Sequence, residues 1–356
     1  MKLLISGICG FVGSSIATTL READSTLQIT GFDNLIRPGS ETNRQRLRDF
    51  GVRFIHADMR NASDVAALPD ADWVLDAAAL PSVLSGVDGR SSARQLLEHN
   101  LGGTINLLEY CRERSAGFIL LSTSRVYSIP SLAALPLRLE DGAFRLDPSQ
   151  PMEPGAGPAG ISECFSTAPP VSLYGSTKTA SEGLAREYGA AFGLPVWVNR
   201  CGVLAGAGQF GHAEQGIFSY WLHAWNAGKS LKYLGFEGTG AQVRDALHPR
   251  DLGSLLYAQL QAGRDESKPS IVNVSGGIKN SLSLAQLSAW CSDRFGHREV
   301  QADGRSRPFD VPWLVLDSAL AEQAWNWRPS TSLPMILEEI AAHAVANVDW
   351  LDLSLA

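Results

Sequence analysis

The chain has 356 residues, of which 45% are hydrophobic, and this is enough to build the core of one large α/β domain and a smaller second one. A formal net charge of −7 at pH 7, without any run of basic residues, argues against a nucleic-acid partner. Because no apolar stretch approaches ~20 residues and the N-terminus reads as a core strand, we expect no membrane contact and a cytoplasmic location.

The N-terminal residues Lys2–Ser6 read as a buried strand that leads into a glycine-rich turn and then a helix. The turn has the spacing G-x-x-G-x-x-G, which lets backbone amides approach a pyrophosphate at the N-terminus of a helix. It is predicted to bind the phosphates of a dinucleotide. The residues of the turn that we expect to contact this cofactor are Gly7, Cys9, Gly10, Phe11, Val12 and Gly13.

A second strand, Gln28–Phe32, ends at Asp33, twenty residues after Gly13. A carboxylate at this strand end can accept hydrogen bonds from both hydroxyls of an adenosine ribose, which favours NAD over NADP. Arg37 is also a candidate cofactor contact. It complicates the choice because a guanidinium can bind a 2′-phosphate, but the neighbouring carboxylate would repel that phosphate. The sequence therefore predicts NAD as the cofactor.

Strands and helices alternate along the first half of the chain, as is typical of an α/β, doubly wound parallel (Rossmann) sheet. The further predicted strands are Arg53–His56, Trp73–Ala77, Gly117–Leu121 and Pro195–Arg200, and a helix is predicted to end at about Phe192. We assign residues 1–200 to an NAD-binding domain to which about 241–275 return. Residues 201–240 and 276–356 are assigned to a smaller, mixed α/β substrate-binding domain.

Residues 129–171 are rich in Pro, Gly and Ala and read as an insertion that flanks the active site. Loops longer than ~15 residues without structure of their own are uncommon and often functional. The segment could therefore act as a lid over the substrate. A poorly structured loop on the surface is an equally good interpretation, and the sequence leaves both interpretations open.

The motif Y-G-S-T-K supplies the strongest indication of chemistry, because it places Tyr174 and Lys178 four residues apart on one helix face. An ammonium at that distance favours the ionised phenol, so Tyr174 is expected to act as a general base whose pKa Lys178 lowers. Lys178 is also expected to bind the ribose of the nicotinamide. The strand before this helix ends in Ser122, Thr123 and Ser124, and Thr123 is expected to bond the substrate oxygen that Tyr174 deprotonates.

Over nearly the whole chain these features resemble the extended short-chain dehydrogenase/reductase superfamily, the nucleotide-sugar epimerases and dehydratases. The remaining motifs of the resemblance are Asp33-Asn34-Leu35, Asp58-Met59-Arg60, Ala77-Ala78-Ala79, Asn100-x-x-Gly103-Thr104, Val126-Tyr127 and Arg244-Asp245-x-x-His248-x-x-Asp251. The additional cofactor contacts that it implies are Asn34, Asp58, Met59, Ala77, Ala78, Ala79, Asn100, Ser122 and Cys201. It also implies that Arg244 holds a diphosphate, although a salt bridge from Arg244 to Asp251 or another acid stays open.

The resemblance extends to the CDP-tyvelose (CDP-paratose) 2-epimerase subgroup, through the segments 200–211, 215–216, 242–245 and 280–284. It implies transient oxidation at C2 of a CDP-hexose by NAD and re-reduction from the other face of the sugar. Dehydration is disfavoured, because the 4,6-dehydratases carry Asp-Glu where Ser124 and Arg125 stand here. The substrate contacts that we expect are Ser82, Thr123, Ser124, Gln209, Phe210, Gln215 and Arg244.

Other functions stay open at this point. One is a UDP-sugar 4-epimerase or a nucleotide-sugar dehydrogenase of the same superfamily, and another is a non-catalytic NAD-binding sensor, which the retained Tyr, Lys and Thr disfavour. The five cysteines are scattered and His212, His223 and His248 lack ligand spacing, so no disulfide and no metal site are predicted. By analogy with the superfamily, we expect a homodimer or homotetramer.

Overall fold

The structure is a computed structural model that describes residues 1–87, 89, 92–212 and 215–355. Its strands are β1 (Lys2–Ser6), β2 (Gln28–Asp33), β3 (Arg53–His56), β4 (Trp73–Asp76), β5 (Gly117–Thr123), β6 (Leu137–Glu140), β7 (Ala143–Leu146), β8 (Ala156–Gly157), β9 (Gly160–Ile161), β10 (Val196–Cys201), β11 (Val203–Leu204), β12 (Lys232–Leu234), β13 (Val243–Leu247), β14 (Ile271–Val274), β15 (Ser281–Ser283), β16 (Gln301–Asp303) and β17 (Trp313–Leu314).

The α-helices are α1 (Phe11–Ala23), α2 (Asn43–Asp49), α3 (Ala62–Ala66), α4 (Ala93–Leu97), α5 (Gly103–Arg114), α6 (Ile129–Ala133), α7 (Ser172–Phe192), α8 (Ile217–Asn226), α9 (Leu252–Ala262), α10 (Leu284–Phe295), α11 (Ala319–Trp325), α12 (Leu333–Ala346) and α13 (Trp350–Leu355). Short 3₁₀ helices cover Ser40–Thr42, Ser124–Val126, Phe236–Gly238, Pro249–Asp251 and Ile278–Asn280, and a π-helix covers Glu98–Gly102. Of the helices in these described ranges, none is both long and apolar enough to cross a bilayer.

A seven-stranded parallel sheet with the order β14-β10-β5-β4-β1-β2-β3 forms the centre of the larger lobe. Successive side chains of a strand point to opposite faces, so a strand buried on both sides is apolar throughout. In β1, Leu3 and Ile5 pack into one core cluster and Leu4 into the other. The predicted doubly wound α/β class is therefore confirmed, and the predicted strands agree with the observed ones to within two residues.

The order of the strands reverses at β1, which pairs with β2 on one side and with β4 on the other. Along the chain, β2 and β3 are added on one side of β1. The strands β4, β5, β10 and β14 then follow on the opposite side. In open parallel sheets, ligands bind in the crevice that such a reversal opens at the carboxyl ends of the strands. The turn after β1 and the segment after β4 flank this crevice.

The smaller lobe contains a sheet with the order β11-β13-β15, in which β17 also pairs with β13, and a parallel pair of β12 and β16. Its core lies between α8, α10 and α12, where Trp221, Trp225 and Ile336 are buried. The chain crosses between the lobes repeatedly. β13 belongs to the smaller sheet, whereas α9 packs on α1, and β14 completes the large sheet.

Residues 129–171 fold into α6, the hairpin β6–β7 and the short pair β8–β9. Ala143, Ile161 and Phe165 are buried in a core cluster that they share with the strands β13 and β17 of the smaller lobe. This segment is therefore a packed part of the molecule, and the interpretation as a poorly structured loop is wrong. The sequence pattern missed it because each of its elements is short and buries its apolar side chains against distant residues, among them Val243 and residues 311–316.

A pair of histidines joins α8 to α12 in the smaller lobe. His223 Nδ1 donates to the Ser219 carbonyl at 2.8 Å, which leaves its Nε2 to accept from His343 Nδ1 at 3.0 Å. Burial, together with the neighbouring His223, lowers the pKa of His343 to about 4, and burial also lowers the pKa of His223. Both imidazoles are thus held in the neutral form.

The histidine pair is expected to make the folded protein less stable as the pH falls. Because the folded-state pKa values lie below the ordinary value of 6.5, the contribution of the pair is complete above that pH and is lost towards the pKa of about 4 of His343. We predict that His343→Gln lowers the free energy of unfolding more at pH 7 than at pH 5, as measured by urea denaturation. A loss of the same size at both pH values would contradict the assignment.

Candidate functional site

A cavity of about 630 Å³ lies at the carboxyl ends of the central strands, between the two lobes. Its volume falls within the range of ligand-binding pockets, about 300–1,000 Å³. Most residues that the sequence analysis selected line its wall. They are Gly7, Gly10, Phe11, Val12, Gly13, Asp33, Asn34, Arg37, Met59, Ala77, Ala78, Ala79, Ser122, Thr123, Ser124, Tyr174, Lys178, Cys201, Gln209, Phe210, Gln215 and Arg244.

The backbone of the glycine turn is packed so closely that Gly7 and Gly13 have no room for a side chain. Gly7 has a φ of +64°, and its carbonyl accepts from the Gly10 amide at 3.0 Å. A Cβ on Gly13 would lie 2.3 Å from the Gly7 oxygen. No described side chain caps the start of α1 at Gly10, so the first amides of the helix stay available beside the cavity. Uncapped amides at a helix N-terminus fit the diphosphate of a dinucleotide.

Asp33 presents its carboxylate to the cavity from the end of β2. One oxygen accepts from the Leu35 amide at 2.8 Å and the other from the Cys9 amide at 3.0 Å. Burial raises the pKa of Asp33, and these amide bonds oppose the rise. Each carboxylate oxygen has a further lone pair, so the group can still accept from ribose hydroxyls.

Arg37 points towards the smaller lobe. Its guanidinium donates to Gln215 Oε1 at 3.0 Å and to the carbonyl of Phe210. These contacts engage two of the N–H donors of the guanidinium. The structure therefore gives Arg37 a role in joining the lobes, which the sequence analysis did not foresee.

Four of the selected residues do not reach the cavity wall: Cys9, Asp58, Ser82 and Asn100. The Cys9 side chain is buried in the core, and only its amide faces Asp33. Asp58 is bonded by Arg60 and by Asn34, and the hydrogen bonds from Arg60 hold its pKa well below the usual range. Its carboxylate is thus already occupied by the protein.

Asn100 and Ser82 lie behind the cavity wall and bond the backbone of the segment after β4. The Asn100 side chain accepts from the Leu80 amide at 2.8 Å and donates to Thr177 Oγ1 at 3.3 Å. It thereby ties the segment after β4 to α7. Ser82 is buried and its hydroxyl accepts from the Leu84 amide, which shapes the same segment.

The close approach of α7 to the segment after β5 brings Tyr174 to Thr123. A Cβ on Gly175 would lie 2.4 Å from the Arg125 carbonyl, so only glycine at this position allows the approach. Tyr174 is 6% exposed and lies near enough to the Thr123 side chain for that hydroxyl to lower its pKa. Lys178 Nζ, which is also buried, donates to the Leu121 carbonyl at 3.1 Å. The three expected catalytic side chains therefore meet at one wall of the cavity.

The expectation that Lys178 makes the phenol basic in the protein alone is wrong. Burial raises the pKa of Tyr174 to about 12, and the opposing contributions come from the Thr123 hydroxyl and the Arg125 guanidinium. Burial also lowers the pKa of Lys178 itself. Desolvation disfavours both charged forms. Additional positive charge in the cavity would favour ionisation of Tyr174.

A buried ion pair supports the floor of the site. Arg200 on β10 donates to both oxygens of Glu182 on α7, at 2.7 Å for the shorter bond. Ser122 Oγ donates to the same carboxylate. The sequence analysis missed Glu182, although its place four residues after Lys178 puts it on the same face of the helix. This network fixes the strand end that carries Thr123 relative to α7.

Positive charge collects at the end of the cavity that faces the smaller lobe. Arg244 is salt-bridged to Asp310 at 2.8 Å, so the acid that pairs with it is not Asp251. Arg125 and Arg307 line the same end. Burial, followed by repulsion from Arg244 and Arg307, lowers the pKa of Arg125 to about 9. Three arginines beside one carboxylate favour an anionic ligand here.

Several cavity-wall residues were not selected as contacts from the sequence: Pro38, Val83, Ser85, Gln95, His99, Arg125, Gln242, Arg307 and Asp310. Arg125 was noticed only as a departure from the dehydratase pattern, and this was the signal that could have marked it. Arg307 and Asp310 follow β16 in a loop without a recognisable motif. Within the ranges that the structure describes, no cluster of His, Cys, Asp and Glu could hold a metal ion.

The geometry agrees with a comparison to known families, because residues 3–275 match the NAD dependent epimerase/dehydratase family. The chain belongs to this family. CDP-paratose 2-epimerase of Salmonella typhi is 31% identical over 356 aligned residues, which cover 93% of this chain and 96% of that protein. dTDP-glucose 4,6-dehydratase 1 of Escherichia coli K12 is 25% identical, with 99% and 95% covered.

A solved member of the fold is UDP-glucuronic acid 4-epimerase from Bacillus cereus, in complex with UDP-glucuronic acid and NAD. Its TM-score is 0.75 at 24% identity, with 97% of this chain and 99% of that chain covered, which shows the shared fold. Membership in the NAD dependent epimerase/dehydratase family confirms three expectations from the sequence: the family itself, enzymatic function and NAD as the cofactor.

The turn after β1 generates a prediction about cofactor binding. Gly13→Ala is expected to abolish the retention of NAD, because the new methyl group would collide with the Gly7 carbonyl at 2.3 Å. NAD content is measured in the purified protein by absorbance after acid release. Gly183→Ala on α7 is the matched control, since no described atom outside its chain neighbours and the nearby backbone of its own helix lies within 4 Å of the added methyl. The control should retain NAD and gain about 0.5–1 kcal/mol in helix stability. A Gly13→Ala protein with full NAD content would contradict the prediction.

Proposed function

We propose that this family member is a nucleotide-sugar epimerase that inverts C2 of a CDP-hexose, of the CDP-paratose and CDP-tyvelose kind. The observation that carries the proposal is a single cavity that joins the glycine turn, the Tyr174–Thr123 pair and the arginines around Arg244. A redox centre and an anion site in one cavity suit a substrate that carries both a sugar and a diphosphate. The 31% identity to CDP-paratose 2-epimerase, across nearly the full length of both chains, supports the choice of sugar and carbon.

The residues fit NAD, because the amides at the start of α1 suit its diphosphate and the Asp33 carboxylate suits its adenosine ribose. When bound in its oxidised form, NAD supplies a hydride acceptor and a positive charge. Lys178 has ammonium protons beyond the one it donates to the Leu121 carbonyl, and these would hold the nicotinamide ribose. The protein thus provides binding groups along the length of the cofactor.

Tyr174 would remove the proton from the C2 hydroxyl while Thr123 holds the oxygen in place. Bound NAD would supply the acceptor for the C2 hydride and the donor that returns it, so oxidation of the alcohol to a ketone and its reduction would need no external oxidant or reductant. Tyr174 would hold the proton while the sugar turns in the cavity, and it would give the proton back to the C2 oxygen once the sugar presents its opposite face.

The raised pKa of Tyr174 makes this chemistry depend on the charge around it. A phenol with a pKa of about 12 stays protonated at pH 7 in the protein alone, and Arg125 is the cation that already lowers this pKa. The positive charge of oxidised cofactor would therefore favour ionisation, which would couple proton removal to complexes that can also accept the hydride.

The anion site explains how the sugar could turn without leaving. Arg125, Arg244 and Arg307 would hold the diphosphate while the hexose rotates about the bonds that join it to the phosphate. The same residues argue against dehydration, because Arg125 and Ser124 cannot supply the acid and base that elimination of water needs. A homodimer or homotetramer stays a prediction, as do the individual roles of the site residues.

Replacement of the proposed base tests the mechanism. Tyr174→Phe is expected to lower kcat by about 10²- to 10⁴-fold, because the proton acceptor is lost, and to leave NAD content unchanged. Tyr188→Phe is the matched control. Tyr188 lies on the same helix and bonds Glu109 outside the cavity, so its variant should keep full activity. An active Tyr174→Phe protein would remove this residue from the mechanism.

A panel of CDP-, UDP- and GDP-hexoses tests the choice of substrate. Native mass spectrometry is expected to show the tightest complex with a CDP-hexose, and NMR is expected to show interconversion of CDP-paratose and CDP-tyvelose. In D₂O the C2 hydrogen should be kept, because hydride is transferred within the complex. Conversion of a UDP-sugar at C4, without any change at C2, would favour the alternative of a UDP-sugar 4-epimerase.

A further inference from the structure

The loop after β11 forms one wall of the cavity and is held from two sides. Gln209, Phe210 and Gln215 in this loop line the cavity. The loop and its flanks contain Gly206, Gly208, Gly211 and Gly216. Glycine loses more conformational freedom on ordering than any other residue, so this loop depends on contacts from outside to keep one position.

The first support is Trp350, the first residue of α13. Its ring stacks on Phe210 with the ring centres 5.1 Å apart and an angle of 17° between the planes. Its indole Nε1 donates to the Gln209 carbonyl at 2.9 Å. Trp350 is only 9% exposed, so both contacts are shielded from water.

Trp350 is itself fixed within the smaller lobe. The edge of the His343 ring packs against it at a centroid distance of 4.7 Å. The next residue, Leu351, is buried in the core beneath α8 and α12. Asp352 is bonded by Lys229 at 2.8 Å. These contacts hold helix α13, and with it the indole of Trp350, in place against the loop.

The second support comes from the NAD-binding lobe. Arg37 follows β2 and Asp33, and it donates to the Phe210 carbonyl and to Gln215 Oε1. The Phe210 ring also packs close to Gly39, where an added Cβ would lie 2.8 Å from the ring. The contacts of Phe210 with Trp350 and with Arg37 thus connect the two lobes on the side of the cavity that carries Asp33.

We propose that Trp350 is a positioning residue of the NAD site, which holds the 209–212 loop against Arg37 and thereby slows the release of NAD. An enzyme that regenerates its cofactor in every cycle has no need to exchange it. The contacts suit such retention, since Phe210 and Arg37 would have to separate for NAD to leave between them. The inference goes beyond the proposed function, because it does not depend on which sugar is bound.

The test is the rate of NAD release from the full-length protein in the absence of any sugar. The enzyme is loaded with NADH, and the loss of NADH fluorescence is followed after addition of excess NAD. Trp350→Phe keeps an aromatic ring but loses the hydrogen bond to Gln209, and we expect release to become about threefold to tenfold faster. Trp350→Leu also loses the stack and is expected to release NADH faster still.

Trp290→Phe is the matched control. Trp290 lies on α10 in the same lobe, packs edge-on against Phe295 and does not line the cavity, so its variant should release NADH at the wild-type rate. If Trp350 were merely structural, Trp350→Phe would lower the melting temperature and leave the release rate unchanged. That result would overturn the proposal, and it is measurable even if Trp350→Leu does not fold.

A double-mutant cycle gives a second, independent measurement. Arg37→Met and Trp350→Phe act on opposite sides of Phe210, so their effects on the release rate are expected to be non-additive, with the double variant close to the faster single variant. Fully multiplicative effects would show that the two residues act separately, which would overturn the proposal. Inactivity towards CDP-hexoses would refute the proposed function and leave this result standing.

Discussion

The reversal of strand order at β1 is the constraint on which the rest of the structure depends. It opens one crevice at the carboxyl ends of the strands, and several chemical groups of the site are carried there by strand ends. The glycine turn comes from β1, Asp33 from β2 and Thr123 from β5. Groups that are far apart in the chain therefore meet without any long-range signal in the sequence.

Burial is the second constraint on the site, because it disfavours the charged side chains that the proposed chemistry needs. It raises the pKa of Tyr174 and lowers the pKa of Lys178, so the charged forms of both side chains are disfavoured. Positive charge on a bound ligand would favour ionisation of Tyr174. At the end of the cavity that faces the smaller lobe, burial, followed by repulsion from Arg244 and Arg307, lowers the pKa of Arg125, which lies two residues after Thr123 in the chain.

The two lobes are joined by polar and aromatic contacts across the opening of the cavity. Sequence motifs do not predict these contacts. Arg37, a candidate cofactor contact that lines the cavity, also bonds the loop of the other lobe, 178 residues further along the chain at Gln215. Trp350 approaches the same loop from the C-terminal helix. Cofactor binding and lobe closure are thus properties of one continuous set of contacts.

The sequence by itself determined the parallel α/β sheet, the glycine turn, the carboxylate of Asp33 and the Tyr174–Lys178 helix, because local spacing and strand ends encode all four. Only the tertiary structure decided that Arg244 pairs with Asp310, that Arg200 pairs with Glu182 and that residues 129–171 are packed. The physical reason is that side-chain partners and desolvation depend on which distant segments share an interior, and no local pattern of residues records that.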